Sequence, residues 1–166
     1  MSLDFRIEKK DAFRVVGVLA HTTTVNNACM TEVPSLWNEV LNKGRGDEIM
    51  ALMNRPPLGI IGVNVYNTDP TDSKKFDYYI ACSTDKPVPD GMVEYTVPAA
   101  TWAVFPCKRT ETASVEISIV NEWQPTSGYE LLNSGYEAGE MDSGAPDLEV
   151  YMDMDNAEVW SAVRKK

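Results

Sequence analysis

Apolar and polar positions fall into blocks with two different periods along this chain. Residues 12–20, Ala-Phe-Arg-Val-Val-Gly-Val-Leu-Ala, form an apolar, β-branched run that predicts a buried strand. Thr31-Glu32-Val33-Pro34 then supplies a capping residue and an early proline, which predict a helix start. Leu36, Trp37, Val40 and Leu41 follow on one apolar helical face; Gly44 and Gly46 interrupt it, and Ile49, Leu52 and Met53 resume it. Arg55-Pro56-Pro57 ends the helical stretch. Residues 58–66 and 76–83 read as two strands joined by a polar turn over 67–75, and Pro87 to Gly91 punctuates the middle of the chain.

The second half repeats that order. Residues 93–106 carry strand material, and 112–123 read as a helix with Val115, Ile119 and Trp123 on one face, stopped by Pro125. A Gly/Ser/Asn/Asp-rich connection over 126–147 leads to a closing hairpin, 148–154 and 158–164, with its turn at Asp155-Asn156. The pattern is β-α-β-β twice. It predicts an α+β fold in which two pseudo-symmetric halves, about 4–86 and 92–166, form one antiparallel sheet with helices. Each half alone is too small for a good core, so residues 1–166 are expected to make a single domain.

Composition narrows the functional classes. The chain has 166 residues, 43% hydrophobic and 24% charged, the balance of a globular protein. No run of eighteen apolar residues and no secretory leader is visible, so no membrane association and a cytoplasmic location are expected. Net charge is −10 and the basic residues are scattered, with small clusters at Lys74-Lys75 and Arg164-Lys165-Lys166. Phosphate backbones demand clustered cations, so direct nucleic-acid binding is not expected. Cys29, Cys82 and Cys107 lie far apart without a C-x-x-C pair, and His21 is the only histidine. Neither a disulfide framework, a zinc site nor a serine–histidine relay is implied. No metal or other cofactor is expected.

Several segments, in order, resemble the GyrI-like family, also found as the effector-binding half of AraC-type and MerR-type transcription regulators. Phe13-Arg14-Val15-Val16-Gly17 matches its opening strand, and Leu36-Trp37 sits on its first helix. Pro57-Leu58-Gly59-Ile60 and Phe76-Asp77-Tyr78-Tyr79 match its next two strands, and Trp102-Ala103-Val104-Phe105 resembles its Y-A-V-F strand. The most specific match is Glu122-Trp123-Gln124-Pro125-Thr126-Ser127-Gly128-Tyr129, similar to W-L-P-x-S-G-Y. Pro146-Asp147-Leu148-Glu149-Val150-Tyr151 resembles P-x-F-E-x-Y, and Glu158-Val159-Trp160 resembles the terminal E-I-W/Y. Gln124 replaces the usual leucine, and Ser161-Ala162-Val163-Arg164 lacks the proline of I-P-V-K. The match spans roughly residues 4–164, which leaves no length for a helix-turn-helix module and implies a stand-alone domain.

The resemblance implies a groove between the halves that binds amphipathic, often cationic, aromatic compounds against aromatic walls and a central acid. On its residues alone, Glu149 reads most simply as a solvent-facing acid between Leu148 and Val150, with Tyr151 on its own face. The family match turns Glu149 and Tyr151 into the leading ligand-binding candidates. Trp37 and Trp123 are candidates as one helical tryptophan per half, although core packing suits them as well. Glu158 and Trp160 repeat the acid-x-aromatic spacing on the neighbouring strand, and Tyr66 and Tyr79 are weaker candidates that suit sheet packing equally. No nucleophile or relay supports catalysis. Some relatives hydrolyse cyclopropane-bearing genotoxins, which would make Glu149 catalytic, and others inhibit DNA gyrase, which would make a protein partner or homodimer relevant. A sensor or sequestering protein for hydrophobic cations is the reading that sequence favours.

Overall fold

A computed structural model describes residues 3–66, 68, 69, 71, 72, 74–132 and 145–166. Parts of the two polar connections expected over 67–75 and 126–147 lie outside the described residues. The strands are β1 (Arg6–Lys10), β2 (Phe13–Thr23), β3 (Ile60–Val65), β4 (Lys75–Ser83), β5 (Val93–Val97), β6 (Ala100–Lys108), β7 (Tyr129–Leu131), β8 (Asp147–Tyr151) and β9 (Asn156–Lys165). The helices are α1 (Cys29–Asn42), α2 (Arg45–Leu52) and α3 (Thr112–Ser118), the last running into a π-helical turn at Ile119–Trp123. No helix among the described residues is long and apolar enough to cross a membrane.

All pairings are antiparallel, and the sheet order is β1-β6-β9-β8-β3-β4-β2-β5, with β7 pairing the end of β9. The order reads alike from both ends. β2, β4 and β3 mirror β6, β9 and β8, and the two sets meet where β3 pairs β8. The expected doubled β-α-β-β pattern is therefore present, with one addition. Each half begins with a short strand that docks on the other half: β1 lies beside β6, and β5 beside β2.

Strand parity separates two cores. Val16, Ile80 and Cys82 point to the face that carries α1 and α2, with Val40 and Ile49 packed on them. Ala103, Phe105, Val159 and Val163 point to the same face further along and receive Val115, Ile119 and Trp123. The opposite face buries Val15, Ile61, Val63, Ala81, Trp102, Val104, Leu148, Val150 and Trp160. Burying side chains on both faces explains why the strands read as near-continuous apolar runs rather than alternating ones.

Three local differences from expectation have physical causes. α1 begins at Cys29, ahead of the expected Thr31 cap, because the Ala28 carbonyl already accepts the amides of Thr31 and Glu32 at 3.1 and 2.9 Å. Pro34 then sits inside the helix, and the carbonyl it cannot satisfy belongs to the exposed Met30. The closing turn falls at 152–155, where the Asp153 carboxylate accepts the amides of Asp155 and Asn156, each at 2.8 Å. Gln124, in place of a leucine, accepts the Leu131 amide at 2.9 Å and ties the π turn to β7.

The exchanged strand β1 is held by charge as well as by its ladder. Arg6 Nη1 lies 2.8 Å from Glu158 Oε2, whose side chain is 11% exposed, and Trp160 Nε1 donates to Glu158 Oε1 at 3.1 Å. Removing the guanidinium strands a mostly buried carboxylate, although the half-exposed arginine limits the penalty. Arg6→Ala is expected to cost about 1–3 kcal/mol, between the exposed and buried limits for broken ion pairs. Urea denaturation at neutral pH measures it.

Candidate functional site

The β3–β8 seam is the middle of the sheet, and its helix-side face carries polar groups where the flanking strands carry apolar ones. Gly62 and Asn64 of β3 stand opposite Glu149 and Asp147 of β8. Tyr151 follows Glu149 on the same face and donates its hydroxyl proton to Glu149 Oε2 at 2.6 Å. Asn64 Nδ2 reaches Glu149 Oε1 at 3.5 Å. Gly62 is glycine for a steric reason: a Cβ there would run into the Tyr78 hydroxyl and stand 3.3 Å from Glu149 Oε2. The missing side chain lets Tyr78 of β4 lie across β3 toward the acid.

Both helical layers reach over this seam. From α1, Trp37 Nε1 donates to the Tyr78 hydroxyl at 2.9 Å, and its ring meets Tyr151 edge-on with centroids 5.2 Å apart. From α3, Thr112 Oγ1 lies 3.4 Å from the Tyr151 hydroxyl, and the Glu116 carboxyl comes against that of Glu149. The spacings match. Four residues of helix rise about 6 Å and two residues of strand about 6.6 Å, so Thr112 and Glu116 align with Tyr151 and Glu149. At the rim, the Arg109 guanidinium covers the Tyr151 ring at 5.1 Å and donates to the Asp153 carbonyl at 3.1 Å.

Burial decides the protonation states. The Glu116 residue keeps some exposed surface, but its carboxyl is enclosed. Desolvation, followed by the charge and hydrogen bond of Glu149 and the charge of Asp147, pushes it well above the usual carboxylate range. Burial, with the nearby Glu149 charge, also raises the Tyr78 and Tyr151 phenols, so both remain neutral donors. Burial lifts the Cys107 thiol to about 11, which makes it a poor nucleophile at neutral pH. Two open depressions, of about 440 Å³ beside His21 and Asp77 and about 310 Å³ beside Leu36, lie off the seam. On the seam itself Trp37 rests edge-on against Tyr151, and Trp37, Glu116, Glu149 and Tyr151 are each half-buried.

The sequence candidates thus separate. Glu149, Tyr151 and Trp37 come together. Glu158 and Trp160 point to the other face, where Glu158 pairs with Arg6 and Trp160 packs on Trp102 at 5.7 Å. A one-residue offset between β8 and β9 causes this: Glu149 stands opposite Val159, so Glu158 shares the face of Val150. Tyr79 also lies on that other face, against Tyr95 at 5.3 Å. Tyr66 is buried beside Phe76, and Trp123 is buried edge-on to Phe105 at 4.9 Å in the α3 core. Glu116, Tyr78, Asn64 and Gly62 were not among the candidates. The signal for Glu116 was its place four residues after Thr112, flanking the Val115–Ile119 stripe.

The family model for Cass2, an integron-associated effector binding protein, matches residues 6–163. The chain belongs to that family. Its fold is also that of SAV2435 bound to tetraphenylphosphonium, with TM-score 0.78 and 14% identity over 98% of this chain and 94% of that one. An integron cassette protein from the mobile metagenome of Vibrio cholerae is similar with TM-score 0.63 and 18% identity, over 96% of this chain and 95% of that one. The C-terminal domain of EcmrR has TM-score 0.52 and 14% identity, with both chains fully covered. No curated protein sequence matches. The resemblance to GyrI-like effector-binding domains is borne out, as is the α+β antiparallel fold.

The raised Glu116 carboxyl has a consequence for the stability of this Cass2-family protein. A group whose folded pKa exceeds its unfolded value stabilises fully below the unfolded value, about 4.3 for glutamate. That contribution is lost as pH rises through the folded value. Glu116→Gln keeps the shape without an ionisable group. Its melting temperature relative to the wild type is expected to increase as pH is raised from about 5 to about 8. Paired thermal melts across that range check the sign.

Proposed function

We propose that this Cass2-family protein captures hydrophobic cations in a groove that opens at the β3–β8 seam, as a sensor or sequestering protein. The observation that carries the reading is the half-buried Glu149, set among Tyr151, Tyr78 and Trp37 with no cationic side chain in contact with it among the described residues. A desolvated carboxylate without a cation stabilises an incoming one, and the aromatic faces add cation–π attraction. The tetraphenylphosphonium on SAV2435, which shares the fold, supports a lipophilic cation as the ligand class. Trp37, edge-on to Tyr151, serves as an aromatic wall beside the acid. The binding set is then Glu149, Tyr151, Trp37, Tyr78 and Glu116, while Trp123, Trp160, Tyr66, Tyr79 and Glu158 serve packing.

Glu149→Gln retains the volume and an acceptor for Tyr151 but removes the charge. Tetraphenylphosphonium binding should weaken by about 1.5–3 kcal/mol, the scale of a charged hydrogen bond. A matched anion, tetraphenylborate, should bind the wild type more weakly than the cation. Equal affinities of wild type and variant for tetraphenylphosphonium would remove Glu149 from the site.

A second reading, hydrolysis of strained electrophiles, is favoured by the Glu116–Glu149–Tyr151 arrangement. Glu116 held neutral is a proton donor, and ionised Glu149 can accept a proton from water. Water would add across a strained carbon–carbon bond, hydroxyl to one carbon and proton to the other. Incubation of an activated cyclopropane in ¹⁸O-labelled water, followed by mass analysis, should yield labelled alcohol with wild type and at least about 100-fold less with Glu116→Gln if this chemistry operates.

A further inference from the structure

Two adjacent carboxyl groups, Glu116 on α3 and Glu149 on β8, pose a question of proton count. Two ionised carboxylates side by side in a half-buried site repel, and a proton held by one of them removes that repulsion. The arrangement is built rather than incidental. Thr112 and Glu116 stand four apart on α3, opposite Tyr151 and Glu149 two apart on β8, and Gly62 removes the side chain that would otherwise separate the acid from Tyr78.

The surroundings offer negative or neutral partners. Asp147 and Tyr151 face the pair from β8, Tyr78 from β4 and Cys107 from β6, while β3 and α1 contribute the neutral Asn64 and Trp37. Glu111, ahead of α3, is engaged with the Lys108 amide at 3.1 Å. Arg109 is spent on the Tyr151 ring and the Asp153 carbonyl, and Glu158 of β9 projects to the other face with Arg6. Among the described residues nothing cationic compensates a second charge on the pair.

We propose that the Glu116–Glu149 pair is a proton-exchange site: empty, it holds one shared proton, and a bound lipophilic cation displaces that proton to solvent. The step is electrically balanced, since one positive charge enters as one leaves. It rests on the cation-binding reading above and adds its regulation. Desolvation, which keeps Glu116 protonated in the empty protein, is compensated by the ligand's charge once the seam is occupied. Affinity for cations therefore rises with pH until the empty pair ionises by itself, by at most about tenfold per pH unit for one linked proton.

Isothermal titration of the full chain with tetraphenylphosphonium, in buffers of low and high ionisation enthalpy, counts the protons released. Near neutral pH the wild type should release between about a half and one proton per cation bound, and Glu116→Gln should give a slope near zero. A ¹³C carboxyl spectrum of the wild type provides a readout independent of the variant: adding the cation at fixed pH should move one glutamate resonance to its ionised position. Binding with buffer-independent heat and an unmoved carboxyl spectrum would overturn the exchange while leaving the cation reading intact. Absence of binding by the wild type would overturn both.

Discussion

The pairing of β3 with β8 is the constraint on which the rest of the molecule depends. It joins two three-stranded sets into one sheet and brings Gly62 opposite Glu149. Because Gly62 has no side chain, Tyr78 can cross its strand and present a hydroxyl to the indole of Trp37. Trp37 in turn is held over Tyr151, whose own proton goes to Glu149. A larger residue at position 62 would disconnect these contacts in sequence, although none of the other strands would need to move.

Acidic groups at such a seam oppose folding unless their charge is managed. For Glu149, among the described residues, the charge is managed by neutral donors rather than by a counter-ion. Tyr151 donates to Glu149 and Asn64 approaches its other oxygen, while burial beside Glu149 raises the Glu116 carboxyl. The contrast with Glu158 is instructive, since there a more deeply buried acid is matched by Arg6 and the tryptophan N–H. One acid is paired with a cation of the protein itself; the other meets neutral donors. Local departures of this kind, where stability is not optimised, mark sites in otherwise consistent folds.

Much of the architecture was legible in the chain. The apolar runs at 12–20 and 58–66, the helix around Trp37 and the Thr112–Trp123 helix all follow from periodicity and punctuation. The short strand β1 was less legible because Arg6-Ile-Glu-Lys-Lys is a charged edge segment that gains order from a partner remote in sequence, and the strand material read over 93–106 divides into β5 and β6, which join different halves. For the candidate site, the motif around Glu149 pointed to the strand on which Glu149 and Tyr151 meet Trp37. What sequence could not settle was face: Glu149 and Glu158 have the same local spacing, and only the register of β8 against β9 puts them on opposite sides. Gly62 and Tyr78 carry no local signal at all, because their meaning arises from a contact across two strands.

The crossed edge strands bear on how such a fold comes about. A chain cut within Pro87–Gly91 yields two pieces, each lacking the strand that closes its own outer edge and each carrying the strand that closes the other's. Neither piece can shield its sheet alone, but together they rebuild the same mirrored order. Two copies of a single half-length ancestor would do the same by trading their leading strands, and fusing them would turn a homodimer interface into the β3–β8 seam. In such an ancestor the two sides of the seam would be identical. Fusion frees them to diverge, so that one side can keep a glycine while the other acquires a carboxylate.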